Sequence, residues 1–127
     1  MMACRGVRGA TVATENTRAA ILEATHALLA EMISANGMNG ADIISAIFSV
    51  TPDLTAVYPA EAARQLGWTD AALLCVQEMG VPGSLTRCIR VLVHWETARP
   101  AGALIHVYLN GAEALRPDWA ARERPGL

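Results

Sequence analysis

Lysine is absent from this chain of 127 residues, and all ten basic side chains are arginine. That excludes a Schiff-base lysine and the lysine of a phosphate-binding Walker loop. It also makes arginine identity uninformative by itself, so position has to decide. Cysteine is scarce: Cys4, Cys75 and Cys88 form no CxxC, are odd in number and have no histidine at ligand spacing. Neither a disulfide framework nor a metal site is indicated, and no cofactor is expected. There is no Gly-rich phosphate loop, no nucleophile elbow, and no Ser, His and Asp set in a workable context. No window approaches 18 uninterrupted apolar residues, and the opening Met-Met-Ala-Cys-Arg-Gly leads into no apolar h-region. No membrane partner is expected, and a reducing cytoplasm is the expected setting. With a formal charge of −2 there is no broad basic face, so no nucleic-acid partner is expected either.

What is present reads as one domain over residues 1–118, followed by a tail, 119–127, without periodicity and expected to be mobile. Val7, Ala10 and Val12, interleaved with Gly6 and Gly9, predict a first strand over Cys4 to Thr14. Asn16 or Thr17 caps a helix that runs through Ile21, Leu22, Leu28, Leu29, Met32 and Ile33 and stops at Asn36-Gly37. Ile43 to Val50, a continuous apolar run, predicts a buried strand. Pro59 opens and Gly67 closes a short second helix, and Ala71 to Val76 predicts a third strand. Strand and helix alternate twice, implying crossover connections. The loop Met79 to Thr86 holds no helix, so the long strand Arg87 to Thr97 is predicted antiparallel to the strand before it. Ile105 to Leu109 is a brief extended piece, Asn110-Gly111 a turn, and Ala112 to Leu115 an edge segment.

The chemistry is expected in the stretch from Gln77 to Val91. Glu78 stands at the mouth of a Gly/Pro loop, and Arg90 sits inside the apolar run Ile89 to Trp95. Arginine stays protonated, so an arginine in an apolar strand pattern requires an anionic or strongly polar partner. Glu78 and a bound anion are both candidates. Arg8, Arg64, Tyr108 and Arg116 each lie beside a Gly, Pro or apolar boundary, where side chains converge on a cleft.

Seven segments in order, RGVRGAT at 5–11, TPDL at 51–54, PAEAAR at 59–64, CVQEM at 75–79, CIRV at 88–91, HVYL at 106–109 and LRPD at 115–118, resemble the monofunctional chorismate mutases of the AroH class. The resemblance covers nearly the whole chain. It implies an α+β fold in which a mixed sheet of four to five strands is flanked by two main helices. It further implies a homotrimer closed into a pseudo-α/β-barrel, with sites between subunits. The implied reaction is the rearrangement of chorismate to prephenate, toward phenylalanine and tyrosine, without a cofactor.

Carried over position by position, the resemblance makes Arg90, Glu78 and Arg8 catalytic. Tyr58, Ala60, Arg64, Leu74, Cys75, Val76, Gln77, Tyr108, Leu115 and Arg116 join them as substrate-binding positions. Two residues depart from the family pattern: Glu61, where a basic residue is common, and Tyr58, where Phe is common. Glu61 at the mouth is expected to weaken attraction for a dianion. The alternative function is a non-catalytic anion-binding trimer of the same fold.

Overall fold

The computed structural model describes residues 1–120. Strands β1 (Ala3–Val12), β2 (Ile43–Val50), β3 (Ala72–Gln77), β4 (Cys88–Thr97) and β5 (Val107–Tyr108) form one mixed sheet in the order β3-β2-β4-β1-β5. Helix α1 (Arg18–Asn36) joins β1 to β2, and α2 (Ala60–Gln65) joins β2 to β3. A last helical turn, α3 (Pro117–Ala120), ends the described chain. Strands β2 and β3 pair in parallel, whereas β4 runs antiparallel to both β1 and β2 and lies between them. Hence β1 and β2 point the same way without touching, and both helical connections are crossovers. The predicted reversal of β4 relative to β3 holds, with β2 standing between the two.

Local chemistry explains the main helix. The Thr17 hydroxyl accepts the Ala20 N–H at 3.1 Å, and Gly37, at φ 68°, closes the helix in the left-handed region that only glycine enters without cost. Leu28, Leu29 and Met32 of α1 and Ala60 and Ala63 of α2 share one buried cluster with Val7, Phe48, Val91 and Val93 of the sheet. Both helices therefore cover the same sheet face. Each large side chain buried there contributes roughly 1.5–3 kcal/mol. Close approach is set at Gly9, where a Cβ would overlap the Met32 Sδ and stand 3.2 Å from Leu28 Cδ1. Gly9→Ala is expected to destabilise the fold by about 1–3 kcal/mol in urea titration. Gly6→Ala, facing Leu92 on the opposite side, is expected to cost less than about 1 kcal/mol.

At the C-terminal end of α1, Asn36 is fully buried. Its amide donates to the carbonyls of Met32 and Ile105, both at 2.9 Å, and its oxygen accepts the Ile105 N–H at 2.8 Å. One side chain thus ties the helix to the segment entering β5.

Two predictions change. Strand β2 is not buried throughout: Ala46 and Phe48 are, but Ile44 and Ile47 are 46% and 37% exposed. Alternation sends Ile47 to the face the helices leave uncovered, whereas Ile44 is the extra residue where the register with β4 shifts between Ile43 and Ser45. Ala112–Leu115 is a 3-10 turn, not an edge strand. Gly111, at φ 97°, leads into it, and the Ala112 N–H returns to the Leu109 carbonyl. Of the tail at 119–127, residues 121–127 lie outside the described part. Trp119 itself stacks on His106, with ring centroids 3.8 Å apart and planes at 15°. Among the described residues no helix is long and apolar enough to cross a membrane.

Candidate active site

Register places the site on the sheet face away from the helices. Arg90 pairs across β4 with Ser49 on one side and Ala10 on the other, while Ser49 aligns with Val76 and Ala10 with Tyr108. Laterally paired residues share a face. Val76, Ser49, Arg90, Ala10 and Tyr108 therefore form one row across the whole sheet, with the guanidinium near its middle. Arg8, two residues along β1 from Ala10, lies on the same side. Arg8, Val76, Glu78 and Arg90 line one cleft of about 350 Å³ with Ile47, Ser49 and Leu92. Ser49 and Leu92 were not singled out from sequence, although two-residue alternation from Arg90 and its register partners points to both.

Glu78 is fixed by its own backbone, whose N–H donates to the Val50 carbonyl at 2.8 Å. Its Oε1 stands 3.7 Å from Arg90 Nη1, an ion pair too long for a hydrogen bond. The partner that the sequence leaves open between Glu78 and an anion is thus filled only loosely. Arg90 Nε and the Tyr108 hydroxyl are both buried, with no hydrogen-bond partner among the described residues. An unmade bond at a buried polar group costs about 1–3 kcal/mol, so two such groups on one face mark a place built for an acceptor. Burial raises the Tyr108 phenol above its ordinary value against the opposing pull of Arg8, Arg116 and Arg90, so it remains a neutral donor. The Cys88 thiol, on the same face two residues before Arg90, is also raised by burial, with Arg90 pulling it down.

The start of β4 is locked in place. Thr51 Oγ1 accepts the Cys88 N–H at 2.9 Å, and Asp53 Oδ2 accepts the Arg87 N–H at 2.8 Å. Arg87 occupies φ 50°, an uncommon conformation for a residue with a Cβ, and the Arg87 carbonyl and Nε both bond the Ala13 backbone. The Asp53 carboxyl lies below the usual range, chiefly through its hydrogen bond with Thr51. The TPD segment thus holds the chain three residues before Arg90.

The other predicted residues form separate groups. Tyr58, Ala60, Arg64, Leu74 and Cys75 line a depression of about 250 Å³ across β3, with Leu73. Cys75 packs against the helix-side core, and burial raises its thiol against the Ala60 N–H and Arg64. Gln77 lines a third cleft, with Tyr58, Cys75, Val76 and two residues not singled out as contacts, Arg18 and Glu61. Leu115 packs beside Tyr108 and Ala112. Arg116 forks onto Asp118 at 2.9 and 3.1 Å and lies 3.6 Å over the Trp119 ring. This fork holds the Asp118 carboxyl down at about 2. Arg8, Glu78 and Arg90 therefore line one cleft with Tyr108 on the same sheet face, Leu74 shares that face by register, and Cys75 packs on the helix side.

Comparison with known proteins agrees with this geometry. The family model described as chorismate mutase type I matches residues 4–119. The chain is 50% identical over 115 residues to chorismate mutase AroH of Thermus thermophilus, covering 90% of this chain and 94% of that one. It is 43% identical over 118 residues to chorismate mutase AroH of Bacillus subtilis, covering 92% and 93%. The solved chorismate mutase from Clostridium thermocellum superposes with a TM-score of 0.85 at 50% identity, over 87% of this chain and 98% of that one. With the family model spanning nearly its full length and relatives this similar, the chain belongs to the type I chorismate mutases.

Proposed function

We propose that this chain is an isomerase that rearranges chorismate to prephenate, the step leading toward phenylalanine and tyrosine. The observation behind this reading is the pair of buried donors without a partner among the described residues, Arg90 Nε and the Tyr108 hydroxyl, on a face that also holds Arg8 and Glu78. The reaction is a one-substrate pericyclic shift in which an ether C–O bond breaks as a C–C bond forms. It needs no nucleophile and no added acid. The protein has to hold a flexible dianion in its folded diaxial shape and meet the charge that grows on the ether oxygen.

Arg90 serves the ether oxygen and one carboxylate, because its fixed fork of donors spans two acceptors. Arg8 and Tyr108 hold the side-chain carboxylate. Glu78 accepts the ring hydroxyl and sets orientation, and Cys75 packs against the ring. Arg64 and Arg116, nearer the rim, raise the local positive potential for a dianion, and Tyr58, Ala60, Leu74, Val76, Gln77 and Leu115 shape the walls.

The assembly proposed is a homotrimer with each site shared between subunits, working in the cytoplasm. Two features support sharing: the predicted residues fall into groups on either side of β3, and the apolar face bearing Ile47, Leu74 and Val76 stands uncovered in one chain. Purified protein is expected to consume chorismate with saturable loss of its absorbance and stoichiometric appearance of prephenate. Its sedimentation mass is expected to be three times that of the chain. Saturable binding of chorismate without turnover would leave only a non-catalytic anion-binding protein.

A further inference from the structure

Arg18 is the first residue of α1, a poor place for a cation, because a helix N-terminus is partially positive and no acidic residue stands in this first turn to offset it. Its guanidinium instead meets Glu61, early in α2, in a two-pronged ion pair: Nη1 to Oε2 at 2.8 Å and Nη2 to Oε1. The charge of Arg64, one turn further along α2, also favours the ionised form of Glu61. As a support for the fold the pair does little. The two side chains are 59% and 28% exposed, and exposed ion pairs contribute little stability. Its location is more telling. Arg18 and Glu61 line the same cleft as Tyr58, Cys75 and Val76, and Val76 also borders the cleft of Glu78 and Arg90.

The geometry points to Arg18 as a specificity-determining residue that contacts a carboxylate of the dianionic substrate at the rim of the site, with Glu61 holding it in position. The inference rests on the chorismate reading given above. Glu61 engages one N–H on each terminal nitrogen, so three of the five donors of the guanidinium stay available, among them those of the Nε edge that suits a second carboxylate. Glu61 by itself would repel a dianion. Paired with Arg18 and within the field of Arg64, it belongs to a cluster of net positive charge, and Arg18 also keeps the carboxyl of Glu61 below its usual range and so ionised.

The test is steady-state kinetics with chorismate for Arg18→Ala, Glu61→Ala and the double variant, at low ionic strength and in about 0.5 M salt. Arg18→Ala is expected to raise KM roughly tenfold at low salt with kcat within about twofold, the gap narrowing as salt screens the rim. Glu61→Ala is expected to shift KM less than about threefold, and the double variant to keep most of the Arg18→Ala defect. A double variant with wild-type KM would reduce Arg18 to a neutraliser of Glu61 and overturn the inference. So would an unmoved KM in Arg18→Ala, or a fall in kcat that tracks lost thermal stability. If the unsubstituted protein consumes no chorismate, the chorismate reading falls first. Normal turnover with an indifferent Arg18→Ala removes the role of Arg18 alone.

Discussion

Replacing Arg90 by alanine is expected to lower kcat on chorismate by on the order of 10²–10³-fold, the range for losing one preorganised donor to a transition-state oxyanion. The size follows from where the residue sits. Arg90 is the middle member of a row that crosses the whole sheet, and among the described residues its Nε is buried without a partner and its nearest carboxylate stands 3.7 Å away. A donor held unsatisfied in the resting protein bonds most strongly when charge appears on a substrate oxygen. Its loss should therefore act on kcat more than on KM. Arg90→Lys keeps the charge and loses the fork, and is expected to recover only part of the rate. Thermal stability should hold in both variants, because alanine removes a largely desolvated cation whose only ion pair among the described residues, to Glu78, is loose. Near wild-type kcat in Arg90→Ala would mean that the ether oxygen is met elsewhere.

The largest expected loss of stability lies at Asn36. Asn36→Ala strips both the N–H and the carbonyl of Ile105 of their buried partner. At about 1–3 kcal/mol for each stranded group, the variant should lose roughly 2–6 kcal/mol and melt on the order of 10 °C lower. Denaturant titration at fixed protein concentration reads this directly. Because Ile105 lies three residues before Tyr108, KM for chorismate is expected to rise in the fraction that remains folded. A loss under about 1 kcal/mol would show that Ile105 finds other partners when the amide is gone.

Much of this architecture can be read from the chain itself. Thr17, Gly37 and the apolar spacing of Leu28, Leu29 and Met32 announce α1, because caps and periodicity are local. Arg90 stands out because a cation in an apolar run needs an explanation that the sequence does not supply nearby. Asn36 is read correctly as the end of α1, but only that local role is legible. An asparagine before a glycine looks like a helix stop, and its bonds to Ile105 depend on a contact 69 residues away. The burial of β2 is overestimated because composition cannot tell a face covered by helices from one left uncovered in the single chain. Glu61 reads as a defect at the mouth of the site until Arg18, 43 residues earlier, is brought against it. What escapes sequence reasoning is long-range pairing of polar groups, which leaves no periodic trace.

The place of β4 has a consequence for how the molecule is made. It is the fourth strand synthesised, yet it is the seam that joins β2 to β1. A nascent chain that has not reached residue 88 holds β1 alone and the β2–β3 pair, with no strand to join them. Their edges stay open until that strand slots in, the kind of late, non-local closure that slows folding. Arg90 travels on that strand, so no partly folded precursor lacking it can hold the guanidinium in its row. The bridge between β1 and β2 and the placing of Arg90 arrive in a single event, and β5 with Tyr108 follows.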